Sequence, residues 1–224
     1  MSVSIKSEHE IELMRHAGHL LEQVHDELAS HIKPGISTKE LDRIGEDMIR
    51  SMGCIPNFKN YQGFPASFCI SLNDEVVHGI PSRQKIIQEG DLVKIDAGLI
   101  YKGYHSDAAR TYAVGEVSPE AERIVRVTKE CVELGLKAAK PWGHLGDIAY
   151  AINSHAQENG YSVVEEIGGH GIGLEFHEEP FVSYVTPKGS EMVLVPGMMF
   201  TIEPMINQGS PEFYVDEDNG WTVY

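Results

Sequence analysis

Four residues of this chain, Asp96, Asp107, His170 and Glu203, have the chemistry and the neighbours expected of ligands to a divalent metal. Two of them lie in DLVKIDAGLIYKGYHSDAARTY, Asp91 to Tyr112, which alternates like a strand, turns at Lys102-Gly103 and alternates again. A two-residue turn with glycine is a hairpin signature, since glycine tolerates the positive φ that such turns need. In that register Tyr101 faces Tyr104 and Asp107 faces Gly98. Asp96, two residues before Gly98, then shares a sheet face with Asp107. Carboxylates roughly 5–8 Å apart at Cβ repel each other unless a cation lies between them. Gly98 leaves space there for one or two divalent ions. The competing reading is an exposed hairpin whose acids face water. Against it stand the apolar company of Asp96 (Leu92, Val93, Ile95, Leu99, Ile100) and the scarcity of Asp in strands.

His170 belongs to GGHGIG, Gly168 to Gly173, where small neighbours let a ligand, a metal or backbone come close. A solvent-facing turn histidine is the alternative. His177 precedes the acidic pair Glu178-Glu179. Glu203 sits in FTIEPM, where Pro204 blocks a ladder bond and implies a strand edge, a strand end or a bulge; an edge-strand acid in water would read the same way. Three carboxylates and one imidazole suit Mn, Fe, Co or Zn better than Ca or Mg, which rarely recruit histidine.

The helices and strands around these groups follow from local signals. Ser7-Glu8-His9-Glu10 is a capping box opening a helix through Met14, Leu21 and Leu28, stopped by Lys33-Pro34-Gly35. Ser37-Thr38-Lys39-Glu40 is a second box, and its helix ends at Gly53. An aromatic loop (Phe58, Tyr61, Phe64) leads to a strand at Ser67–Leu72, an extended Glu75–His78 and the hairpin. The second half repeats the plan: a Ser118-Pro119 cap, a helix, Lys140-Pro141, a helix from Leu145 to Gly160, then strands at Tyr161–Val164, Gly168–His177 and Met198–Asn207. Lys33 and Lys140, Leu41 and Ile148, and Gly53 and Gly160 are each 107 residues apart. That matched spacing predicts an internal duplication with halves related by a pseudo-twofold.

At 224 residues, 42% hydrophobic and 23% charged, the chain has the composition of a globular domain. It has no apolar run of membrane-span length and no signal-peptide core, so no membrane association is expected. A net charge of −16 opposes direct nucleic-acid binding. Three scattered cysteines without a CxxC fit a reducing, cytoplasmic setting.

IKPGISTKEL, CISLNDEVVHGIP, the Asp91–Tyr112 hairpin, GGHGIG followed by FHEEP, and PGMMFTIEPM occur in this order, and together they resemble the type I methionine aminopeptidases, a subfamily of peptidase family M24. The likeness runs from the first helix to Trp221-Thr222-Val223. It implies an α+β pita-bread (creatinase/aminopeptidase-like) fold, a curved antiparallel sheet with two helix pairs on its convex face, in a single catalytic domain spanning 1–224. The implied activity is that of a metalloexopeptidase removing initiator methionine by metal-hydroxide attack on the first peptide bond. Carried over by position, Asp96, Asp107, His170 and Glu203 match metal ligands, with Asp107 shared by two ions drawn from Co, Mn, Fe, Zn or Ni. Glu203 also matches the general base, His177 the group that stabilises the oxyanion, and His78 the group near the scissile nitrogen. Tyr61, Phe64, Cys69, Phe176 and Trp221 match the methionine pocket. The implied partners are the N-terminal methionine of peptides and nascent chains, and the ribosome. The resemblance also brings a fifth ligand, a glutamate on a strand after the counterpart of Trp221-Thr222-Val223, whereas this chain ends at Tyr224. The expectation is therefore a chain lacking the C-terminal strand, with a weak second metal site and impaired hydrolysis. An Xaa-Pro-type aminopeptidase of the same fold and a non-catalytic peptide-binding or protein-binding member are the other readings.

Overall fold

The computed structural model describes residues 2–224. Two compact units divide the chain: one combines the residues up to Ile11 with Glu122–Phe213, the other Glu12–Ala121 with Tyr214–Tyr224.

The second of these holds most of α1 (Glu8–His31), then α2 (Thr38–Ser51), β1 (Ile55–Pro56), β2 (Phe68–Leu72), β3 (Leu92–Tyr101) and β4 (Tyr104–Ala113). All its strand pairs are antiparallel: β4 lies on one side of β3, and β1 and β2 pair along the other. The register is the one expected, with Tyr101 opposite Tyr104 and Gly98 opposite Asp107. Both turn residues have positive φ, 49° at Lys102 and 87° at Gly103, which matches the twist of a tight hairpin. Alternation along β3 divides its side chains by face. Val93, Ile95, Ala97 and Leu99 are fully buried in one cluster with Ala17, Leu21, Val24 and Leu28 of α1 and with Leu41 and Ile49 of α2. Each large aliphatic side chain buried this way stabilises the fold by roughly 1.5–3 kcal/mol. The intervening residues, Asp96 and Gly98, are thereby turned to the other face. Asp42 of α2 locks the start of β2, accepting the Ser67 and Phe68 amides at 2.9 and 3.1 Å while pairing with Lys39 at 2.7 Å.

The other unit holds most of α3 (Pro119–Ala138), then α4 (Leu145–Glu158), β5 (Tyr161–Val163), β6 (Gly169–Gly171), β7 (Glu178–Val182) and β8 (Ile206–Gln208). Its strands form two antiparallel pairs, β5 with β8 and β6 with β7. Val127 and Cys131 of α3, and Ile148, Ala149, Ile152 and Ala156 of α4, are fully buried.

The duplication extends into backbone detail. The helix-opening residues Ser37 and His144 form the bridges Ser37↔Ile86 and His144↔Val193. Gly35 N–H donates to Ile87 O at 2.8 Å, and Trp142 N–H to Leu194 O at 2.7 Å. Gly53 and Gly160 leave their helices at φ 74° and 78°. Every one of these correspondences keeps the offset seen between Lys33 and Lys140, and the same offset carries Asp96 onto Glu203.

Some expectations need correction. The Ser7 box is reciprocal, but at Ser37 only the forward bond forms, because the Glu40 carboxylate turns to Arg43, 2.8 Å away. Glu75–His78 makes no strand beyond the bridge Val77↔Val223, and His78 has φ 57°, which breaks extension. Gly168–His177 yields only β6, interrupted by an irregularity between His170 and Gly171. Glu203 lies in no strand: past the Gly171↔Phe200 bridge the backbone is irregular until β8, since Pro204 offers no N–H. No described helix is long and apolar enough to cross a membrane, and all three cysteines are buried free thiols.

α1 is tied to β4 through His25, which is fully buried, with Nε2 2.9 Å from Ala108 O and Nδ1 3.1 Å from the Tyr112 hydroxyl. Burial pushes its pKa below the usual histidine value. The unfolded chain takes up that proton near pH 6.5, so this contribution is complete above about pH 6.5 and is lost as the pH falls below it. Urea midpoints are expected to drop between pH 7.5 and 5.5, and the drop should be smaller in His25→Gln; an equal drop in both would exclude His25 as a source.

Candidate functional site

In the unit built on β3, Asp96 and Asp107 occupy one face of the hairpin, on neighbouring strands and offset by two residues. Cys69 of β2 is the register partner of Asp96 on its other side. Burial, then Asp96 and Asp107, hold the Cys69 thiol well above its usual pKa. A protonated thiol is a small apolar group suited to lining a pocket. The space beside Gly98 is not open, as the sequence suggested. A Cβ there would strike the carboxamide of Asn57, whose Nδ2 donates to Ser106 O at 3.3 Å and whose N–H donates to Gly98 O at 3.3 Å. Asn57 thus clamps the strand segment that carries Asp107.

Among the expected pocket residues of this unit, Phe64 is 3% exposed and meets Trp221 edge to face at a centroid distance of 5.1 Å. His78 stands perpendicular to the same indole at 6.4 Å, and burial lowers its pKa. Tyr61 opens the single turn of 3₁₀-helix that precedes Phe64.

The other unit assembles the second group. β6 carries His170, whose Nδ1 is 2.8 Å from Gly171 O. A carbonyl only accepts, so Nδ1 bears a proton. Nε2 is the ring nitrogen turned to Glu203 Oε1, 3.5 Å away. An imidazole nitrogen and a carboxylate oxygen placed this way are donors that suit a divalent metal. Thr201 is bonded to both residues. Its hydroxyl accepts the His170 N–H at 2.9 Å and donates to Glu203 Oε1. The Glu203 N–H in turn donates to the hydroxyl of Tyr184, which is 1% exposed, at 2.7 Å. The room beside His170 belongs to the protein's own groups, since a Cβ at Gly169 would strike Thr201 O and the Tyr184 hydroxyl. His177 lies against His170 with ring centroids 4.1 Å apart, and Phe176 stands edge-on to His170 at 5.7 Å.

Sequence reasoning missed Asn57, Thr201 and Tyr184. Thr201 had a signal, two residues before Glu203, but Tyr184 and Asn57 are joined to the site only by folding.

The sequence profile of metallopeptidase family M24 matches residues 12–223. Methionine aminopeptidase 1 of Bacillus subtilis is 44% identical over 97% of this chain and 87% of its own length. The methionine aminopeptidase of Escherichia coli K12 is 43% identical over 100% and 84%. The crystal structure of methionine aminopeptidase from Rickettsia prowazekii superposes with a TM-score of 0.97 at 39% identity, covering 99% of this chain and 89% of that one. An Xaa-Pro dipeptidase from Bacillus anthracis gives a TM-score of 0.75 at 30% identity, covering 92% and 56%.

The Asn57 clamp is testable on its own. Gly98→Ala should cost about 1–3 kcal/mol by overpacking the carboxamide, read from urea unfolding. Gly98→Ala/Asn57→Ala should recover part of that loss, and a Gly98→Ala protein as stable as the parent would contradict the clamp.

Proposed function

Since this chain belongs to metallopeptidase family M24, we infer that it removes the initiator methionine of peptides and proteins by metal-dependent hydrolysis of the first peptide bond. The observation that carries this reading is the likeness to methionine aminopeptidases over 97–100% of this chain, in sequence and in the pita-bread fold alike. Likeness to Xaa-Pro enzymes covers less of those proteins and gives the second reading no better support.

The site roles form part of the proposal. The metal ligands are Asp96, Asp107, His170 and Glu203. One ion would draw on Asp107, His170 and Glu203, and a second on Asp96 and Asp107. When bound, such ions lower the pKa of water and polarise a carbonyl; Co, Mn, Fe, Zn and Ni all suit these donors. Glu203 takes the proton of the attacking water, and its bond from Thr201 fixes the carboxylate for that task. His177, held against His170, hydrogen-bonds to the carbonyl oxygen as charge develops there. His78 stays neutral near pH 7 because burial lowers its pKa, so it can offer an N–H toward the scissile amide. Phe64, Trp221, Tyr61, Cys69 and Phe176 line the methionine pocket, where aromatic edges favour a thioether. Three free thiols fit work in the cytoplasm.

The test is methionine release from Met-Ala-Ser with Co or Mn present. Turnover is expected, falling by about 10²–10⁴-fold in Glu203→Gln. Cleavage of Xaa-Pro but not Met-Ala peptides would overturn the assignment.

A further inference from the structure

Lys6 is a buried lysine, 5% exposed, and it lies outside every role given above. Its ammonium pairs with Glu178 Oε2 at 2.5 Å and donates to Ser4 Oγ at 2.5 Å. Its backbone N–H donates to Gly197 O at 2.8 Å. All of these residues lie in one unit, together with Phe176 and His177.

Glu178 directly follows His177 and works on two sides. Oε2 holds the ammonium, while Oε1 accepts the Glu175 N–H at 3.2 Å, closing the turn that carries Phe176 and His177. Burial alone would raise the pKa of this acid, but Lys6 and the amides of Glu175 and Leu174 outweigh it and hold the carboxyl below its usual range. The turn also makes room for the lysine: a Cβ on Gly173 would strike Lys6 Cε and Nζ. The lysine side chain therefore runs along the inside of the turn.

Exchanging a buried ion pair for apolar side chains of similar size is often neutral or stabilising, so stability alone is a weak reason for such a pair. Geometry is a better one. We propose that Lys6 is a positioning residue, whose ammonium, through Glu178, fixes the 173–178 turn that presents Phe176 and His177 to substrate. The proposal rests on the reading of those two residues as substrate contacts.

The test compares Lys6→Met, Lys6→Arg and the double variant Lys6→Met/Glu178→Met, using thermal midpoints, methionine release from Met-Ala-Ser and amide hydrogen exchange over 174–178. A misplacement of about 1 Å at a reacting group costs on the order of 10²-fold in rate. Lys6→Met should accordingly lose about 10–100-fold in kcat/KM and exchange the Glu175 amide faster. Lys6→Arg, which keeps the charge, should restore both. The double variant leaves no charge unpaired, so it should recover the thermal midpoint while kcat/KM stays low. If Lys6→Met does not fold, the double variant and Lys6→Arg carry the comparison. A double variant within about twofold of the parent in kcat/KM, or unchanged exchange in Lys6→Met, overturns the proposal. Should the parent chain release no methionine, the functional reading fails, and exchange alone decides the role of Lys6.

Discussion

Groups that can only accept hydrogen bonds cannot face one another without something positive between them, and this constraint shapes the whole candidate site. His170 bonds Gly171 O through Nδ1 and turns Nε2 toward Glu203, 3.5 Å away. Asp96 and Asp107 share one face of a hairpin, and both raise the pKa of the Cys69 thiol. Carboxylates and an imidazole are the donor types that a divalent cation of the Mn to Zn series would draw on.

Holding such groups near one another requires a rigid frame, and the frame comes from packing elsewhere. β3 buries Val93, Ile95, Ala97 and Leu99 completely beneath α1 and α2, so the rotation of the strand is fixed and Asp96 has one face available. A register slip of a single residue would exchange the acid with the core. In the other unit, hydroxyl groups do the corresponding work, with Thr201 bonded to both His170 and Glu203 and with Tyr184 bonded to the Glu203 amide. The internal duplication links the two arrangements, because the offset that relates the helix openings also relates Asp96 to Glu203. An acid at one position in an ancestral half explains why both units present a carboxylate there, one on a regular strand and the other on backbone loosened by Pro204.

Local signals made much of this legible beforehand. The hairpin register followed from Lys102-Gly103 and alternation, and the helices from Ser7, Ser37, Ser118 and the Lys-Pro breaks. Three kinds of feature were not legible. Competition between side chains was hidden, as when Arg43 takes the Glu40 carboxylate from its capping role. Irregular backbone was hidden as well, since apolar runs around His170 and Glu203 read as strands until glycine spacing and Pro204 are weighed against ladder bonding. Long-range placement was hidden most of all. Asn57 fills the volume beside Gly98, and nothing near residue 57 announces it.

The central claim is that carboxylates and one imidazole, without thiolate, hold the catalytic ion. X-ray absorption of the chain loaded with one equivalent of Co tests it most directly. The account predicts a shell of oxygen and nitrogen donors whose single imidazole signature disappears in His170→Ala. A sulfur donor at about 2.3 Å, as thiolate ligation would give, or an imidazole signature that survives His170→Ala, would contradict it.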